Sequence, residues 1–206
     1  MKNKILDSIL NMISKYYSIN DVKLKEIRYG LESIYLSLFK TIVIIIISIF
    51  IHTFNELCLL FITYGLLRLV AFGLHTKKSI HCWISSITTF IIIPYLIKSI
   101  VINKYILITI SILLLILICI YAPADTEKRP LINKKKRLIY KILSIIISSS
   151  YILVIIFINN SYIQNLLFFS LLLQTLLILP ITYKLFGLKY DNYKRYKRKE
   201  DIKWNY

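Results

Sequence analysis

Apolar residues in this chain do not scatter; they gather into roughly six blocks, at about 36–53, 56–72, 82–98, 104–122, 139–158 and 162–180. Runs of about 18 or more residues with few charges read as membrane spans, because a helix needs about 20 to cross the hydrocarbon core. The pattern predicts an all-α, multi-pass membrane helical bundle of about six spans. The second block is interrupted by Arg68, and the third begins with Cys82 and contains Pro94. Those two are the candidates for short, tilted or re-entrant segments.

Ahead of the first block, Ile5, Leu6, Ile9, Leu10, Ile13, Tyr16 and Tyr17 recur at helical spacing, with lysines on the other side. They predict an amphipathic helix, lying on the membrane surface or docked on the protein's own spans. This opening lacks the continuous apolar core of a secretory signal, so none is expected. The organisation is then an amphipathic N-terminal segment (1–35), a membrane domain (36–180) and a basic tail (181–206).

Composition sharpens this picture. The chain is 57% hydrophobic and 18% charged, against about 45–50% and about 25% for soluble domains. Of its 27 lysines and arginines, 24 fall on segments that alternate to one side of the six spans. Lys98 and Lys104 fall on the other side, and Arg68 lies within a span. Short loops rich in Lys and Arg stay cytoplasmic, so both termini and the loop between the second and third spans are expected there. The net charge of +17 is thereby explained by insertion and by attraction to anionic lipids, about 1 kcal/mol per residue near the surface. The tail "KLFGLKYDNYKRYKRKEDIKWNY" interleaves basic and aromatic residues, as nucleic-acid binders do, but its place beside a span favours lipid, and no nucleic-acid partner is expected. An acidic peptide partner fits the same charge. Three cysteines, Cys58, Cys82 and Cys119, make no disulfide framework.

The chemistry concentrates in "RLVAFGLHTKKSIHCWISS", residues 68–86. Cys82 is placed near the start of the third span, where the helix dipole favours a thiolate. A cysteine with an available histidine is a minimal activated nucleophile. His75 lies seven residues earlier, which on one unbroken helix means ~10.5 Å along the axis, too far for a hydrogen bond. The pair can meet only if the chain folds back, and Gly73 supplies the backbone freedom for that turn. A helix break between about 73 and 80 is therefore predicted. His81 is the backup base, although adjacent helical residues point about 100° apart. A metal site is not supported, since no fourth ligand joins His75, His81 and Cys82; no cofactor is expected. Cys58 and Cys119 read as small buried residues. Ser85 and Ser86, one turn beyond Cys82, can hydrogen-bond the site or be tolerated polar spots. Arg68, costly in lipid, can snorkel to the interface, bind a substrate carboxylate or orient the site. A second stretch, "YAPADTEKRPL" (121–131), reads as a loop stopped by Pro123 and Pro130. There Asp125 could orient the histidine or hold a basic segment of a substrate.

These motifs, together with "LPITYKL", resemble the AgrB family (accessory gene regulator protein B) over most of the chain. The most specific part is the histidine–six residues–cysteine spacing joined to the alanine-proline-alanine-aspartate loop. The resemblance implies a membrane cysteine endopeptidase of peptide quorum sensing in Gram-positive bacteria. It would remove the C-terminal part of an AgrD-like propeptide and promote closure of a thiolactone or lactone ring. On that likeness Cys82 is the nucleophile and His75 its base, while Arg68 and Gly73 match further motif positions. Two departures stand out: the family often has a second glycine where this chain has Phe72, and Thr76 replaces the usual alanine. A homodimer is the working expectation for assembly. The rival from another class is a non-enzymatic peptide transporter or exporter, against which stands the lack of an internal repeat or paired broken spans.

Overall fold

The computed structural model describes residues 2–16, 20–74, 79–126 and 130–194. Among the described residues it is helical, with no strand, and contains six helical segments long and apolar enough to cross a membrane. It divides into two compact units, 1–50 and 51–206.

In the first unit, α1 (Lys2–Tyr16) and α2 (Asp21–Phe50) pack against each other. Leu6 and Leu10, from the apolar stripe of α1, are buried. An Arg28–Asp7 ion pair at 3.2 Å ties the two helices, though both partners are half-exposed and such pairs contribute little. The apolar stripe of α1 thus packs on the helix that carries the first span. That helix runs without a stop from Asp21 into the apolar run, because nothing between them breaks it: Gly30 sits in mid-helix.

The second unit contains α3 (Phe54–Ala71), α4 (Ser79–Ile87), a π-helical turn (Thr88–Ile92), α5 (Ile93–Ser99), α6 (Lys104–Tyr121), α7 (Lys134–Phe157), α8 (Ser161–Ile178) and α9 (Pro180–Leu185). The axis is α8, which packs on α3, α5, α6 and α7; 61% of its apolar window is buried, against 33% for α3. The residue pattern is that of a bundle in lipid. Inside lie small or polar side chains such as Ser111, Ser144, Ser148, Ser170 and Thr175, while Phe61, Ile62, Leu69, Leu113 and Ile139 face outward. Without a hydrophobic drive between helices in lipid, small residues let backbones approach and hydroxyls bind across. Thr63 and Ser170 join α3 to α8 at 2.7 Å, and Tyr151 on α7 donates to the Thr63 carbonyl at 2.8 Å.

The third span is continuous, not re-entrant. Pro94 lacks an N–H and its ring crowds the carbonyl four residues back; the π-helical turn immediately before α5 widens the helix there, a common accommodation. At one end of the unit, Lys98 donates to the His52 carbonyl and Lys104 to the Asn159 side chain, each at 2.8 Å. The two lysines that depart from the charge bias thus tie the loops at that end together. Asn103, Asn133 and Asn160 cap α6, α7 and α8, each accepting backbone N–H groups that would otherwise lack partners.

Candidate active site at the turn after the second span

At the opposite end, α3 stops at Ala71 and α4 starts at Ser79, so the predicted helix break is present. His75 itself, with residues 76–78, lies outside the described residues, as does the side chain of His81. What is described is the frame on either side. Phe72 and Gly73 both take left-handed φ, +56° and +111°. Gly73 is the residue for such a turn; Phe72 is not, and its ring instead packs edge-on against Tyr140 of α7, 4.9 Å between centroids. The turn therefore forms although the family's second glycine is missing.

Arg68, one turn before the end of α3, donates to the carbonyls of Phe72 (2.7 Å) and Leu74. A helix C-terminus leaves its last carbonyls without partners and carries partial negative charge, so a guanidinium is well placed there. Among the three roles open to Arg68, orienting the turn is the one its hydrogen bonds support. Gly73 is locked from both sides. Its N–H donates to the Ala124 carbonyl at 2.8 Å, and the Ala124 N–H returns a bond to Ala71 at 3.0 Å. The Leu74 N–H donates to Leu177 at 2.9 Å, and the Gln174 amide donates to Phe72 at 2.8 Å. A side chain on Gly73 has no room: its Cβ would lie 2.6 Å from Arg68 Nη1 and 2.9 Å from the Leu177 oxygen.

The loop after α6 is therefore the wall against which the turn is built. Asp125 is buried in that loop and accepts N–H bonds from Asn192 at 3.0 Å and Tyr193 at 2.8 Å. Burial pushes its carboxyl above the ordinary carboxylate range, opposed by those N–H groups, by Leu131 and by the nearby Arg137. Cys82 lies in the first turns of α4, half-buried and outside any disulfide. Ser85 is on the same helix with its side chain exposed. Cys58 and Cys119 sit half-buried in α3 and α6. Among the described residues no three His, Cys, Asp or Glu groups converge as metal ligands.

Arg68, Gly73 and the Asp125 loop, separated by up to 57 positions, thus meet at one end of the bundle. Sequence reasoning missed Gln174 and Leu177, the third strut. A glutamine inside the last apolar run was the available signal, since polar groups in membrane helices seldom lack a partner.

The family model for accessory gene regulator B, AgrB, matches residues 6–178, taking in the turn, the loop and the strut. The chain belongs to the AgrB family. Among AgrB relatives, the accessory gene regulator protein B of Staphylococcus aureus (strain JH9) is 36% identical over 180 residues, covering 87% of this chain and 94% of the relative. That of Staphylococcus epidermidis is 33% identical over 185 residues, covering 86% and 93%. An AgrB-like protein of Clostridium acetobutylicum is 28% identical over 201 residues, 96% of each chain. No solved structure matches this chain. Family membership and six apolar helices make it a multi-pass membrane protein of an accessory gene regulator system.

Proposed function

We propose that this AgrB protein is a membrane cysteine endopeptidase acting on an AgrD-like propeptide from the cytoplasmic side. The observation that carries the reading is the built turn at 72–74 between two spans. It ends the helix of the second span immediately before His75, and Cys82 lies in the opening turns of α4. An unbroken helix would keep the two residues ~10.5 Å apart.

The chemistry follows from the residue types. The Cys82 sulfur attacks a peptide carbonyl, its proton passing to His75. The C–N bond then breaks, the protonated His75 gives its proton to the leaving amine, and a thioester to Cys82 remains. A thiol or hydroxyl within the propeptide attacks that thioester, losing its proton to His75, and the Cys82 sulfur leaves as the ring closes. Ring closure has to outrun hydrolysis. A site among apolar helices keeps water scarce and holds the internal nucleophile near the thioester. Trading an amide for a thioester is uphill, so removal of the released fragment draws the reaction forward.

The test is co-expression with the propeptide and mass spectrometry of its fragments. Cys82→Ser and His75→Ala each abolish release of the C-terminal fragment while the protein still inserts. If both variants cleave as the parent does, the peptidase reading fails; a transporter would lose export of the product and leave cleavage intact.

A further inference from the structure

Beyond the α6–α7 loop, the C-terminal segment folds back onto it. Asp125 is 3% exposed and Asn192 1%. The Asp125 carboxylate receives the N–H groups of Asn192 and Tyr193, with Leu131 at 3.4 Å from the same loop. Its acceptor sites are thus occupied by main chain from two directions, which leaves them poorly suited to holding a basic substrate segment. Around this anchor, the Arg137 guanidinium lies over the Tyr193 ring at 3.5 Å and 3.8 Å from Asp191, which also pairs with Lys194. The Tyr183 hydroxyl donates to the Asp125 carbonyl at 3.0 Å, and the Tyr190 hydroxyl to the Tyr121 carbonyl at 3.3 Å. Burial raises both phenols, Tyr190 to about 12, so these hydroxyls stay donors.

The same loop bonds on its other edge to Ala71 and Gly73 through Ala124. Its carboxylate side thus holds the C-terminal segment and its main-chain side holds the turn that leads into His75. We propose that Asp125 is a positioning residue: it clamps residues 188–194 to the α6–α7 loop, and this clamp keeps the turn before His75 in its working geometry. The inference rests on the peptidase reading for its catalytic consequence. The clamp itself does not.

The physical reason for expecting transmission is that one short stretch, Ala124–Asp125, makes both sets of bonds. Its backbone cannot shift toward one partner without moving from the other. A neutral amide at Asp125 keeps the shape but turns a donor toward one of the two N–H groups, leaving that group without an acceptor in a buried place.

The full-length protein in liposomes, with its propeptide, supplies the experiment. Hydrogen exchange and cleavage kinetics are compared for the parent, Asp125→Asn and Tyr183→Phe; the last removes one hydroxyl tie and leaves the carboxylate in place. In Asp125→Asn, exchange accelerates at Asn192 and Tyr193 and also at Gly73 and Leu74, while amides in the middle of α8 stay protected. The kcat falls about tenfold or more, since a misplacement on the order of 1 Å can cost about a hundredfold, and KM is unchanged. The pH profile of kcat/KM shifts as well, which a simple loss of folded protein would not cause. Tyr183→Phe moves the same observables by less and keeps the inference testable should Asp125→Asn fail to insert. Faster exchange confined to 192–193 with unaltered kcat overturns the proposal, as does a fall in kcat matched by the folded fraction. If the parent itself does not cleave, the peptidase reading has failed, and the exchange at Gly73 and Leu74 still decides the clamp.

Discussion

Replacing Gly73 with alanine tests the frame of the site at its tightest point. The substitution adds one methyl group, yet that methyl would lie 2.6 Å from Arg68 Nη1, 2.9 Å from the Leu177 oxygen and 3.2 Å from the Leu177 carbonyl carbon. Two costs follow. Holding a residue with a Cβ at φ +111° costs about 1–3 kcal/mol. Relieving the contacts means moving the guanidinium, with loss of a charge-assisted bond to Phe72 or Leu74, and shifting the Leu177 carbonyl that receives the Leu74 N–H. The first loss is about 1.5–3 kcal/mol. Together they come to about 2.5–6 kcal/mol, and at about 1.4 kcal/mol per factor of ten even the low end depopulates the turn by roughly 60-fold. The assay is release of the C-terminal propeptide fragment per unit of inserted protein, with the thermal midpoint read alongside. A matched control is Gly65→Ala, at a mid-helix glycine with open space around it, which is expected to be neutral or to gain about 0.5–1 kcal/mol from helix propensity. If Gly73→Ala processes the propeptide as fast as the parent and melts at the same temperature, the turn at 72–74 does not govern the site.

Arg68→Lys keeps the charge but has one ammonium on a flexible stem in place of a fork that reaches two carbonyls; processing is expected to fall with little change in insertion, and Arg68→Ala to fall further. Phe72→Gly relieves a left-handed aromatic residue but gives up the ring contact with Tyr140; these roughly offset at about 1 kcal/mol each, so processing is expected near the parent level, and a loss of activity would show that the ring contact has a larger part. For Asp125 the sign of the pH effect is unusual for a carboxylate. Its folded value lies above the ordinary one through burial, so the folded state binds the proton more readily than the unfolded, and stability rises as pH falls through the window above the ordinary carboxylate value. The difference in thermal midpoint between the parent and Asp125→Asn should therefore widen on acidification toward that window; narrowing would mean that the N–H groups outweigh burial.

The spans were legible because lipid demands long apolar runs and leaves little else to choose. The ends of α3, α6 and α8 fell within a few residues of the block edges, and α4, the π-helical turn and α5 together fill the third. The break before His75 was legible too, from a distance argument: two turns of helix cannot bring a histidine to a cysteine, and Gly73 was the residue able to turn the chain. What stayed hidden was how the turn is held. The loop at 121–131 reads in sequence as punctuation, prolines and a turn-forming aspartate, because the bonds that tie it to the turn and to residues 192–193 run to main-chain groups, and main-chain partners leave no trace in side-chain pattern.

Arg68 shows the same limit from the other side. Inside lipid its charge demands an explanation, and three were open: the water interface, a substrate carboxylate, or the protein's own backbone. All three satisfy the guanidinium, so composition alone cannot choose. The choice depends on where the orphaned carbonyls at the end of α3 point, which depends on Phe72 and Gly73 adopting left-handed φ, which in turn depends on Ala124 and Leu177 being there to receive the turned backbone. Each step needs the tertiary structure before it, so Arg68 became readable as a brace only once α8 and the α6–α7 loop were in place around it. The same dependence predicts that the brace, the loop and the strut at Gln174 lose function together: their double substitutions should cost less than the sum of the singles, as expected for residues that share one backbone turn.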